Sequence, residues 1–125
     1  MIIGPRNEED LLNLCGNGFK LKNIKGLDLI SYSPLIEVGD MHNMKFEDNQ
    51  FDSTICGWTI AYSNDPQKAV DEMIRVTKPN GIIAISLEYS NLNNEEQEKK
   101  LGYKLNDTST RFNSTILLKN LFSKN

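Results

Sequence analysis

Two carboxylates and one imidazole sit where chemistry is expected, because each follows an apolar run. Asp28 comes after Gly26-Leu27, and Asp40 comes after Ile36-Glu37-Val38-Gly39. His42, the single histidine of the 125-residue chain, lies two positions past Asp40. Carboxylates at strand ends accept hydrogen bonds from the hydroxyl or amino groups of a ligand. An imidazole is the one side chain whose unperturbed pKa suits proton transfer near neutral pH. His42 therefore reads as a general base, or as a satisfied histidine beside the ligand. Tyr62 and Glu88, which follow later apolar runs, are the next candidates for proton transfer. Trp58, the only tryptophan, comes after Gly57 and reads as a core residue or as a platform for a substrate.

The elements that must position these residues alternate between strand and helix signals. Ile2 and Ile3 begin a strand that Gly4-Pro5-Arg6 ends. Further strands are expected at residues 24–30 (interrupted by Gly26), 36–38, 53–57 and 82–87. Asn7 reads as a helix N-cap with Asp10 three residues on, and Glu8, Glu9 and Asp10 suit the positive end of the helix dipole. Leu11, Leu12, Leu14 and Cys15 form its expected buried stripe, closed by Gly16 or Gly18. A second helix starts at Asn64 or Asp65 with Pro66 in the first turn, and puts Ala69, Val70, Met73, Ile74 and Thr77 on one face. Lys78-Pro79-Asn80-Gly81 has the residues of a type II turn. The unbroken apolar run Ile82-Ile83-Ala84-Ile85 predicts a parallel strand covered on both faces. Short helices are expected at 95–101, ended by Gly102, and at 114–122, with Ile116, Leu117, Leu118, Leu121 and Phe122 as the apolar side. This alternation predicts an α/β fold with a doubly wound parallel sheet, whose ligand lies outside the C-terminal strand ends.

Three joints in this order carry a resemblance. Gly39-Asp40-Met41, Gln50-Phe51-Asp52 and Arg75-Val76-Thr77-Lys78-Pro79-Asn80-Gly81 resemble successive motifs of the class I S-adenosylmethionine (SAM) dependent methyltransferases, of the methyltransferase type 11-like kind. In that family a Gly-Asp turn ends the third strand, a hydrophobic-Phe-Asp run opens the fourth, and Arg-Val-x-Lys-Pro-Gly-Gly leads into the fifth. The resemblance covers residues 1 to 90. It implies a minimal Rossmann-like core of about five strands in the order 3-2-1-4-5, SAM as cofactor and S-adenosylhomocysteine as product. It also implies that Asp40 accepts the adenine amino group, with the backbone near Met41 on the ring. Leu29 and Met41 would sandwich the base. Asp28, 24 positions after Gly4, is spaced to accept ribose hydroxyls. A solvated Asp28 and a turn-forming Asp40 are the structural alternatives. The implied cofactor set is Gly4, Pro5, Arg6, Asp28, Leu29, Asp40, Met41, His42, Gly57 and Trp58. The family's Gly-x-Gly-x-Gly is here reduced to Gly4-Pro5-Arg6-Asn7-Glu8, with less freedom for close backbone approach. Arg6 either compensates by pairing with the methionine carboxylate of SAM or offsets Glu8 and Glu9 at the surface. Two functions follow: methyl transfer to a small or surface-accessible acceptor, or a partner-dependent or non-catalytic module that binds SAM or its product.

Composition narrows the partners. Three carboxylates after the first strand would repel the pyrophosphate of a dinucleotide, which disfavours NAD. The net charge of −3 and the lack of any basic run argue against nucleic acid. No apolar run approaches a membrane span, and the N-terminal residues do not read as a signal peptide. Cys15 and Cys56 are expected to be reduced core thiols in a cytoplasmic protein, with no metal site. The chain reads as one domain, with a cofactor-binding core at 1–90 and an extension at 91–125. The family's usual helices before the first strand and hairpin after the fifth are not legible here. That leaves residues 82–87 as an exposed apolar edge and predicts a homodimer or larger homo-oligomer.

Overall fold

The structure, a computed structural model, describes residues 1–88, 92–102, 104 and 114–123. Five strands form one parallel sheet: β1 (Ile2–Ile3), β2 (Gly26–Asp28), β3 (Ile36–Val38), β4 (Phe51–Gly57) and β5 (Thr77–Ser86). Their spatial order is β3-β2-β1-β4-β5, as the resemblance implies. The chain moves outward from β1 on one side and then returns to its other side at β4. That reversal opens a crevice beside β1 at the C-terminal end of the sheet.

Helix α1 (Glu9–Gly16) follows β1 and packs on one face, where Leu11 joins Ile2 and Ile36 in a small buried cluster. Asn7 satisfies a first-turn N–H of this helix from one position before the cap. Its Oδ1 accepts the Glu9 N–H at 2.9 Å, while Glu8 occupies the cap position with a helical φ of −75°. The expected stripe is narrower too, because Leu12 is 55% exposed. Gly18, at φ +97°, supplies the left-handed stop, and Phe19 N–H reaches back to the Leu14 carbonyl at 3.1 Å. The second strand is shorter than the apolar run predicts. Leu21–Asn23 coil into a 3-10 turn, and only Gly26–Asp28 find partners on the three residues of β3.

Helix α2 (Pro66–Val76) covers the opposite face. Asp65 caps it, accepting the Lys68 N–H at 3.1 Å, and Pro66 occupies the first turn, where its missing N–H costs nothing. Ala69, Val70, Met73 and Val76 are fully buried against Ile3, Leu27 and Cys56. A buried side chain of the Val or Met class contributes about 1.5–3 kcal/mol. Thr77 ends the helix and starts β5: its Oγ1 lies 2.6 Å from the Met73 carbonyl and 2.7 Å from Thr54 Oγ1 inside the core. The Lys78–Gly81 turn is then a bulge within β5, since Phe51 pairs with Thr77 but Ser53 pairs with Ile82. Asn80 takes φ +64°, as a type II turn requires. A Cβ on Gly81 would lie 2.8 Å from the Asp52 carbonyl, so only glycine fits.

β5 is not covered on both faces. Ile83 and Ile85 pack toward α2, whereas Ile82 is 67% exposed and Ala84 is exposed beside it. Helix α3 (Asn94–Leu101) has a capping box between Asn93 and Glu96 and ends at Gly102 with φ +76°. Helix α4 (Thr115–Phe122) brings Leu118, Leu121 and Phe122 onto the main core, and Gln67 on α2 donates to the Leu121 carbonyl at 2.9 Å. Its Ile116 and Leu117 face away from that contact and are exposed.

Candidate functional site

A cavity of about 260 Å³ opens where the C-terminal ends of β1, β2 and β3 meet the segment after β4. From β1 and β2 it takes Ile3, Gly4, Leu27, Asp28 and Leu29. The turn after β3 adds Gly39, Asp40, Met41 and His42. The far wall is Thr59, Tyr62 and Asn64, on and just past the 3-10 turn Thr59–Tyr62. Seven residues singled out from the sequence thus meet here: Gly4, Asp28, Leu29, Asp40, Met41, His42 and Tyr62.

The turn after β1 is shaped by its neighbours. Gly4 has φ +69°, and a Cβ there would lie 2.0 Å from Thr59 Oγ1. Its N–H donates to the Leu27 carbonyl at 2.8 Å. Pro5 is buried against Gly26 rather than facing the cavity. Arg6 is exposed at φ +51°, and its backbone N–H, not its guanidinium, reaches the site by donating to Asp28 Oδ2 at 2.9 Å. Asp28 Oδ1 accepts the Ile30 N–H at 3.4 Å. Asp28 therefore ties the two turns beside it together, and each oxygen keeps a further lone pair for a ligand.

Asp40 is organised by the residue two positions on. Its Oδ1 accepts the His42 backbone N–H at 2.8 Å and lies 2.5 Å from His42 Nδ1. The N–H of His42 is the main reason this carboxyl sits below its ordinary pKa, with the ring adding to it. His42 Nε2 is 2.6 Å from Ser63 Oγ, so both ring nitrogens have partners. Gly57, Trp58, Pro5, Arg6 and Glu88 lie outside the lining. Trp58 is not a core residue. It takes a left-handed φ of +61° at the end of β4, which turns the indole outward to 63% exposure. Tyr62 is 75% exposed at the mouth.

Ile3, Leu27, Gly39, Thr59 and Asn64 complete the cavity without having been named from the sequence as ligand-binding residues. The strand-end rule could have found Thr59, because it follows β4 directly. Ser63 had no sequence signal. It lies 21 positions from the histidine it meets.

The profile of the methyltransferase domain family matches residues 14–85, more than half of the chain. The chain belongs to this family. A demethylmenaquinone methyltransferase from Desulfitobacterium hafniense is 37% identical over 85 residues, covering 66% of this chain and 33% of the relative. The chain thus spans about one third of the length of that curated relative. A SAM-dependent methyltransferase from Thermotoga maritima is 27% identical with a TM-score of 0.58, covering 71% of this chain and 44% of its own. A chain from the complex of the Haloferax volcanii Trm112 methyltransferase activator with a methyltransferase superposes with a TM-score of 0.72. It is 18% identical, covers 98% of this chain and 57% of its own, and so speaks for the fold alone.

SAM is the cofactor of this methyltransferase core, and the cavity's donor set fits it. Two carboxylates offer acceptors to hydroxyl and amino groups, while Leu27, Leu29 and Met41 offer apolar surface to a ring. No Lys or Arg lies among the described lining residues, so a phosphate would find no cation there. Among the described residues no cluster of His, Cys, Asp and Glu could hold a metal, and no helix is long and apolar enough to cross a membrane.

Proposed function

We infer that the chain is the cofactor-binding core of a SAM-dependent methyltransferase acting on a small or surface-accessible acceptor. The observation that carries this reading is that Asp28 and Asp40 line one cavity at the ends of adjacent strands. Asp28 accepts the ribose hydroxyls, Asp40 the adenine amino group, and Leu29 and Met41 hold the base between apolar surfaces. When bound, the cofactor supplies a methyl group activated by a sulfonium. Transfer from such a centre needs mainly alignment and exclusion of water, which positioned side chains provide. Arg6 has no cavity-facing role in this reading, and Gly4 serves the turn.

Of the candidates for contact with the acceptor, Tyr62 lies on the cavity wall and reaches solvent. Glu88 is exposed after β5 and outside the lining, and both ring nitrogens of His42 are already engaged. Leu29 and Tyr62 line the cavity and are exposed, and Trp58, next in sequence to the lining residue Thr59, is exposed as well, which suits an apolar acceptor. The Desulfitobacterium hafniense relative carries the name of a methyltransferase for one quinone precursor, demethylmenaquinone.

A second reading is a partner-dependent SAM- or S-adenosylhomocysteine-binding module. The free edge of β5, beside the exposed Ile82 and Ala84, favours it, because its outer backbone groups can pair with a second chain. The expected occupant is a second copy of this chain paired along β5.

The deciding experiment is calorimetric titration of the full chain with S-adenosylhomocysteine, repeated on Asp28→Ala and Asp40→Ala. Micromolar binding that both variants lose supports the assignment. No binding at millimolar ligand removes the cofactor role of this cavity. Turnover of SAM in an acceptor screen then separates an enzyme from a module.

A further inference from the structure

We propose that His42 is a positioning residue: held in its Nδ1–H tautomer by Ser63, it clamps Asp40 so that one carboxylate oxygen is kept for the ligand. This rests on the cofactor reading above for the ligand, but not for the clamp itself.

A carboxylate has no proton to give, so the 2.5 Å contact between Asp40 Oδ1 and His42 Nδ1 needs the proton on Nδ1. In the neutral ring Nε2 is then an acceptor. Its partner at 2.6 Å, Ser63 Oγ, must therefore donate. Ser63 Oγ can do so while accepting the Asp65 N–H at 3.1 Å. The direction of every bond in the chain Asp65, Ser63, His42, Asp40 is thereby set, and none is frustrated.

The arrangement looks like a nucleophile, base and acid in line, but burial rules that use out. Ser63 is fully buried, so no substrate reaches its hydroxyl. What the relay does is mechanical. Asp65 caps α2, and Asp40 sits in the turn after β3, so the imidazole ties those two elements across the cavity. Both bonds from His42 fall on Oδ1 of Asp40. The carboxylate cannot rotate without breaking them, and Oδ2 is left for an incoming donor. Hydrogen bonds to a charged partner are stronger than those between neutral groups, and two on one oxygen are enough to fix one rotamer.

Because the chain has one histidine, its ring nitrogens can be read without ambiguity. Long-range proton–nitrogen NMR of the nitrogen-15-labelled full chain at neutral pH should show a protonated Nδ1 and a bare Nε2. A protonated Nε2, or averaging of the two, overturns the clamp. For the positioning role, His42→Asn keeps a short amide donor toward Asp40 and should bind S-adenosylhomocysteine within about threefold of the parent, whereas His42→Ala should lose about tenfold. Unchanged affinity in His42→Ala overturns the positioning role, even if its melting temperature falls. If the parent chain binds no S-adenosylhomocysteine, the cofactor reading fails and takes the positioning role with it. The NMR result on the ligand-free protein still stands, so the two failures remain distinct.

Discussion

At the scale of single residues, the turn after β1 is held by a steric fit that other residues would break. Gly4 meets two demands at once: a φ of +69° and the close approach of Thr59. An alanine in the left-handed region costs about 1–2 kcal/mol before any clash is counted. Thr59 cannot simply swing away, because its Oγ1 donates to the Gly57 carbonyl at 3.0 Å. Gly4→Ala should therefore lower stability by about 2–3 kcal/mol in urea denaturation, the strain and the clash together. Thr59→Ala should cost less in the Gly4→Ala background than in the parent chain, since it removes the two atoms nearest the new methyl. Equal costs in both backgrounds would show that Thr59 is not what the glycine accommodates. The same contact explains why the turn could be located in the sequence but not understood there. Glycine after an apolar pair reads as a strand end, whereas the threonine pressed against it comes from the other side of the sheet.

At the scale of elements, α2 does more than cover the sheet: its last turn staples the loop between β3 and β4. Arg75 Nη1 donates to the Phe46 carbonyl at 2.7 Å and Nη2 to the Met44 carbonyl at 2.9 Å. Its Nε donates to Glu72 Oε1 at 2.6 Å, while Glu72 Oε2 accepts the Met44 N–H at 2.6 Å. The planar fork of arginine makes this possible, and a lysine could not reproduce it. Hydrogen bonds from Arg75 hold the Glu72 carboxyl below its ordinary value of 4.5. A carboxylate depressed in the fold stabilises fully above its unfolded pKa and loses that contribution as pH falls through the folded value. The contribution of Glu72 should thus be complete above about pH 5 and fall steadily below 4.5. Arg75→Met should cost about 1–3 kcal/mol at neutral pH and flatten the acid limb of a denaturation series. An acid limb of unchanged steepness in that variant would detach Glu72 from the effect. The sequence shows Arg75 only as part of a motif that leads into β5. Its loop partners, the carbonyls of Phe46 and Met44, lie 29 and 31 residues back, in a loop without periodicity.

At the scale of the whole molecule, what was legible is what local chemistry decides. Asp65-Pro66 starts α2 and Gly102 stops α3 because caps and left-handed stops act within a few residues. The order of strands followed from three motifs in sequence. The length of β2 and the coverage of β5 did not, because an apolar run does not reveal how far its neighbour extends or which side is packed. The two faces of the sheet prove unequal: α2 and α4 bury Ile83 and Ile85, while Ile82 and Ala84 on the other side meet solvent. The strand is also the edge of the sheet formed by the described residues, so its outer backbone groups can pair with another strand. Two copies related by a two-fold axis would bring their β5 strands together antiparallel, pairing both free edges and setting Ile82 and Ala84 beside their counterparts on one continuous face, and a net charge of −3 opposes this only weakly. Light scattering with size exclusion at micromolar concentration should therefore give twice the chain mass. Ile82→Lys with Ala84→Lys should give a monomer that keeps its melting temperature to within a few degrees, because like charges meet across the paired strands and neither side chain belongs to the core. If the parent chain is itself monomeric, self-pairing is wrong, and the open side of β5 argues instead for a different protein chain laid along the same strand.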